Sequence, residues 1–146
     1  MAKTFQVTFD ASDPAKLAEF WADALGYVLQ PPPPGFVSWE DFARDVGIPE
    51  EDWDNLAAIV DPGGAGPRLL FQKVPEGKTA KNRVHLDVNV GGERETPAVE
   101  RRANVNMAAE RLIAAGATKG DSHGDPDRGE YWIVMLDPEG NEFCLQ

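Results

Sequence analysis

The chain has 146 residues, 42% of them hydrophobic and 27% charged, the proportions of a globular domain long enough to bury a core without covalent staples. One cysteine excludes an internal disulfide and fits a reducing compartment. With 25 acidic residues against 14 basic ones, a net charge of −11, the surface repels phosphate backbones, so nucleic acid and anionic membranes are not expected as partners. No apolar run approaches the ~20 residues of a membrane span. The opening MAKTFQVTFDASDP lacks a signal peptide's apolar stretch, which makes the cytoplasm the expected location.

In chain order, FQVTFDA alternates, with Val7 and Phe9 on one face and Gln6, Thr8 and Asp10 on the other, the pattern of a half-buried strand. Ser12 or Asp13 then caps a helix that has Pro14 in its first turn, a stripe of Leu17, Phe20, Trp21, Ala24 and Leu25, and Gly26 as its stop. Tyr27-Val28-Leu29 starts another strand, and PPPPG (31–35) is a stiff connector that cannot join a ladder. SWEDFARDVG reads as a short helix capped by Ser38, and IPEEDWD as one further turn. LAAIVDPGGAGPRLLFQKV is a hairpin turning at Asp-Pro-Gly-Gly.

The same order then recurs. NRVHLDVNV (82–90) is predicted as a strand with Val84, Leu86, Val88 and Val90 on one face and His85, Asp87 and Asn89 on the other. The segment 91–105, GGERETPAVERRANV, reads as an exposed, solvated excursion, and NMAAERLIAAGA (106–117) as the helix, ending near Gly116. His123 falls in the loop GDSHGDPDRGE, and YWIVMLDPEGNEFCLQ closes the chain as a second hairpin. Aligning DPGGAGPRLLFQ with DPEGNEFCLQ matches turns and closing strands and sets Cys144 opposite Leu70. The fold class expected is α+β, two tandem βαβββ modules over 1–76 and 83–146, joined by EGKTAK.

Paired βαβββ units, DPxGN before the last strand and FW-x-x-x-LG closing the first helix resemble the vicinal oxygen chelate superfamily of glyoxalases, bleomycin resistance proteins and extradiol dioxygenases. More narrowly, DPAKLAEFWADALGY, GPRLLFQKVPEGK, KNRVHLDV and YWIVMLDPEGNEFCLQ resemble its glyoxalase-like branch over essentially the whole chain. The resemblance implies that the two modules form one domain over 1–146, with a cleft between their curled sheets and metal ligands on the first and last strand of each module. By motif these positions are Gln6, Leu70, His85 and Cys144. Gln6 replaces the usual histidine, and Leu70 and Cys144 replace carboxylates. A divalent metal, if one binds, has Gln6, His85 and Cys144 as its donors, an unusual set that serves hard cations poorly. The resemblance also implies a homodimer.

The expected cleft lining is Gln6, Thr8, Asp10, Leu70, Gln72, His85, Trp132 and Cys144. His85 is a hydrogen-bonded pocket residue, a ligand, or an acid–base group working with Asp87 or Glu142. Cys144 reads first as a small buried thiol. Trp39 and Trp53 either anchor the 36–56 segment or face a ligand, and either Tyr131 or Trp132 is expected to see the cleft. The reading that follows is a small-molecule binder of the bleomycin-resistance type, without the standard metal set. The alternative is a lyase, isomerase or dioxygenase using an atypical metal. Glyoxalase I and extradiol activity both want ligands the chain lacks.

Overall fold

The computed structural model describes residues 1–125 and 128–146; Pro126 and Asp127, in the loop expected around His123, lie outside the described residues. The chain divides into two compact units, Met1–Gly77 and Lys78–Gln146. Unit 1 runs β1 (Val7–Ala11), α1 (Pro14–Leu25), β2 (Val28–Leu29), α2 (Trp39–Asp45), a 3-10 turn (Glu50–Asp52), β3 (Leu56–Val60) and β4 (Leu69–Lys73). Its sheet has the order β1-β4-β3-β2, with β1 parallel to β4 and the other pairs antiparallel. Period-2 patterning sends Phe9, Ile59, Leu69 and Phe71 to one face, where α1 packs with Leu17, Phe20 and Trp21. Phe9 sits with its ring centroid 5.2 Å from both Trp21 and Phe71. Asp13 caps α1 by accepting from the Lys16 N–H at 3.2 Å, and Gly26 ends it at φ 69°, a left-handed conformation that glycine takes without steric cost.

Unit 2 repeats the plan: β5 (Asp87–Val88), α3 (Ala98–Ala114), β6 (Thr118–His123), β7 (Trp132–Leu136) and β8 (Glu142–Leu145), ordered β5-β8-β7-β6 with β5 parallel to β8. Here Val105, Ala109 and Leu112 of α3 and Ile133, Met135, Phe143 and Leu145 of the sheet make the core. The architecture is therefore the α+β arrangement of two βαβββ units that the pattern predicts. Both hairpin turns close in the same manner. The Asp61 carboxylate accepts from the N–H groups of Gly63, Ala65 and Gly66, and Asp137 from those of Glu139 and Asn141.

Three elements differ from the expectation. The strand predicted over 82–90 is regular only at Asp87–Val88, and Val84 is 79% exposed rather than in the core. Its one neighbour, β8, begins at Glu142, and the register Asp87↔Cys144 leaves nothing beyond the turn to pair with residues before His85. The excursion expected over 91–105 is helical from Ala98, so α3 starts eight residues earlier than Asn106. Pro97 opens it. The first turns carry no apolar stripe because Val99 is 84% exposed, and Val105 is the first buried residue. Finally, residues 120–123, expected in the loop, belong to the strand Thr118–His123, all six of whose residues are exposed at the sheet edge, so no alternation marked it.

Candidate functional site

On unit 2, Cys144 opposes Asp87 on one side and Val134 on the other, so all three share the sheet face turned away from Phe143 and Leu145. His85 lies beside them. Its Nε2 is 3.3 Å from Asp87 Oδ1, and donor atoms of His85, Asp87 and Cys144 all lie within 4.8 Å of one another. Burial pushes the Cys144 thiol above its ordinary value near 9, helped by the Asp87 charge and by a hydrogen bond the thiol donates to that carboxylate. Asp87 is thus the hub, facing an imidazole and a neutral thiol. His85 and Asp87 are half exposed, whereas Cys144 is 9% exposed, so a ligand on this face meets the imidazole and carboxylate first.

Glu142, expected as a partner for His85, is tied elsewhere. It accepts from the Asn82 N–H at 2.9 Å and pairs with Lys78 at 3.1 Å, and these contacts draw its carboxyl down to about 2. An acid that ionises so low is a weak base near neutrality, and its position pins the chain ahead of β5 to β8.

On unit 1, Gln6, Thr8, Asp10, Leu70 and Gln72 share the face away from α1. Gln6 Oε1, the oxygen that would reach a metal, accepts from Arg68 Nη1 at 2.8 Å, and its Nε2 donates to Thr8 Oγ1 at 3.3 Å. Arg68 Nε donates to Gln30 Oε1 at 2.6 Å. Leu70 has no donor atom, and Asp10 accepts from Gln72 Nε2 at 2.8 Å. Neither Arg68 nor Gln30 stood out in the sequence; the arginine follows Gly-Pro at the start of a strand, where a basic residue reads as solubility.

The tryptophans of the 36–56 segment serve as anchors. Trp39 Nε1 donates to the Gln30 carbonyl at 2.8 Å and Trp53 Nε1 to that of Ile48 at 2.9 Å, while Phe36, Trp39 and Phe42 pack edge to face. On unit 2 a cavity of about 500 Å³ is lined in part by Asn89, Arg101, Tyr131, Trp132 and Gln146, so both aromatics of 131–132 reach it. Trp132 stacks on His123 with centroids 5.8 Å apart, and Tyr131 donates to Asn106 under the Arg102 guanidinium. Arg101 and Gln146 had no signal in the sequence. Arg101 lay in the presumed excursion, where it in fact ties the carbonyls of Glu93, Arg94 and Thr96 to α3.

Two βαβββ units of identical strand order, each with a polar open face, define the vicinal oxygen chelate fold. A family model described as "Glyoxalase-like domain" matches residues 6–146, and the chain belongs to that family. A glyoxalase/bleomycin resistance protein/dioxygenase family enzyme from Burkholderia phytofirmans PsJN is similar in fold, with TM-score 0.63, 18% identity and coverage of 99% of this chain and 97% of that one. A mutant of the fosfomycin resistance protein FosX from Listeria monocytogenes, complexed with Mn(II) and 1S,2S-dihydroxypropylphosphonic acid, gives 0.62 at 12% identity over 100% and 90%. Lactoylglutathione lyase from Agrobacterium tumefaciens gives 0.55 at 15% over 99% and 92%. At these identities the likeness is one of fold. No curated protein matches the sequence. Among the described residues no helix is long and apolar enough to cross a membrane.

The four positions where such a fold implies metal ligands fit that group only in part. Unit 1 offers an amide oxygen already engaged by a cation and a leucine. Unit 2 offers nitrogen, oxygen and sulfur donors close together, a mixed set suited to a soft ion such as zinc rather than to Mg²⁺.

Proposed function

We propose that the protein binds a small organic molecule through the open face of unit 2, without the four-ligand metal set associated with the fold. The observation that carries this reading is the engagement of Gln6 Oε1 by Arg68 beside the donorless Leu70. In this reading Asp87 and His85 are the polar contacts that orient the ligand, Asp87 accepting and His85 donating or accepting. Trp132, at the neighbouring cavity, supplies a flat apolar surface. The acidic surface favours a ligand that is neutral or cationic at the end that meets Asp87.

A second reading has one observation behind it, the convergence of His85, Asp87 and Cys144 donors within 4.8 Å. There the chain is a lyase, isomerase or dioxygenase, and the bound ion supplies Lewis-acid polarisation of a substrate oxygen. The protein's own part is to hold the ion with those three side chains, release the thiol proton on loading, and keep the thiol side dry.

Metal analysis by mass spectrometry separates the two. Untagged protein grown with Fe, Mn, Ni and Zn supplied is compared with His85→Ala. Less than about a tenth of an equivalent in both supports the binder, which thermal-shift screening then follows. Near one equivalent per chain, lost in the variant, overturns it in favour of the enzyme.

A further inference from the structure

Setting aside Lys3 in the exposed stretch before β1, Arg68 stands apart from the other basic side chains in unit 1. Arg44 pairs with Asp41 at 3.0 Å, Lys16 with Asp13 at 2.9 Å and Lys73 with Asp54 at 2.5 Å. Among the described residues Arg68 has no carboxylate within ion-pair distance, in a chain where acids outnumber bases 25 to 14. Its two acceptors are the neutral amides of Gln6 and Gln30, which take Nη1 and Nε. They fix the guanidinium plane without offsetting its charge.

The bracket is itself held. Gln30 donates its N–H to the Ala58 carbonyl at 2.9 Å, and its own carbonyl accepts from Trp39 Nε1 at 2.8 Å. Gln6 is oriented by Thr8, whose hydroxyl takes the amide Nε2 and so leaves Oε1 for the arginine. A guanidinium has five N–H donors, and the two bonds leave both hydrogens of Nη2 and one of Nη1 unused among the described residues. These lie on the end of the fork, the geometry that receives two oxygens of one anion. Leu70 and Ala58, opposed in register and half buried, give an apolar floor on the adjoining strands.

We propose that Arg68, positioned by Gln6 and Gln30, is an oxyanion receptor on the open face of unit 1. It takes the carboxylate or phosphate-type group of a small organic anion whose apolar body rests on Leu70 and Ala58. The site stands on unit 1 alone and goes beyond the reading given for His85, Asp87 and Cys144. The competing role is a purely mechanical clip joining the residue before β1 to the residue after β2.

The test uses the full chain labelled with nitrogen-15. Arginine side-chain Nε–H resonances are followed while inorganic phosphate, or acetate, replaces chloride at constant ionic strength. The Arg68 signal is assigned by its loss in Arg68→Lys, with Arg68→Met as the substitute should lysine disturb folding. The expected result is a saturable shift of the Arg68 signal at millimolar anion or below, at least tenfold tighter than any response of Arg44. Gln30→Leu weakens that response about tenfold while the other arginines are unchanged. Saturation by acetate alone assigns the carboxylate class, and by phosphate alone the phosphate class. A shift linear in anion and in step with Arg44, or one indifferent to Gln30→Leu, overturns the proposal and leaves the clip.

Discussion

Cys144 and Glu142 sit two residues apart on one strand and have opposite electrostatic fates. The thiol, 9% exposed and facing Asp87, is held neutral. Thiolate forms only above the ordinary value near 9, so any stability tied to the neutral thiol is present below that pH and declines above it. Iodoacetamide at pH 8 is therefore expected to alkylate Cys144 much more slowly in native than in urea-unfolded protein, by at least tenfold. Asp87→Asn, which removes the carboxylate charge, is expected to speed the native reaction severalfold; an unchanged rate would leave burial as the whole cause. Glu142 is the reverse case. Its carboxyl ionises at about 2 rather than 4.5, so its contribution is complete above pH 4.5 and disappears as pH falls toward 2. Glu142→Gln is expected to cost about 1.5–3 kcal/mol at pH 7, as for a hydrogen bond to a charged group. It should also flatten the acid limb of the stability curve between pH 4.5 and 2, read by urea titration. The sequence made both residues visible as members of one alternating strand. It could not show that Asn82 and Lys78 claim one of them, because those contacts depend on how the chain folds back ahead of β5.

Among the elements, those with a strong period were legible and those defined by their partners were not. Helix α1, with an aspartate cap, a proline start and a glycine stop, lies where its signals place it. Helix α3 hides its first turns because Val99, Glu100 and Arg102 face solvent and Arg101 is turned to the carbonyls of the preceding segment; apolar packing begins at Val105. Strand β5 is short because its neighbour runs out, and β6 has no buried residue to betray it. The phase of α3 can be checked directly. Leu112→Ala, at a fully buried position, is expected to cost about 2–4 kcal/mol, whereas Met107→Ala, 60% exposed on the opposite side, is expected to stay within about 0.5 kcal/mol. Chemical denaturation measures both, and similar losses would mean the helix is rotated from the described phase. The site followed the same division. His85 and Cys144 were found by position, Arg68 and Arg101 only by their contacts.

For the molecule as a whole, charge and duplication set the terms. With 25 carboxylates against 14 basic groups, neutrality is reached only where the acids titrate, so solubility should pass through a minimum at roughly pH 4–5 and recover above it. Turbidity against pH measures this, and a minimum near neutrality would contradict the open, acidic surface. The duplication is more exacting than the sequence match alone implies, because the registers coincide: Thr8 pairs with Leu70 as Asp87 pairs with Cys144. By that register Gln6 answers to His85 and Arg68 to Glu142. One ancestral scaffold position thus carries a fixed cation in the first half and a fixed anion in the second, each neutralised or braced by unrelated neighbours. Each half is in effect a variant of the other, so exchanging residues between matched positions is a ready-made route to reversing the polarity of either face, with the Asn82 and Lys78 contacts of Glu142 as what the second half gives up.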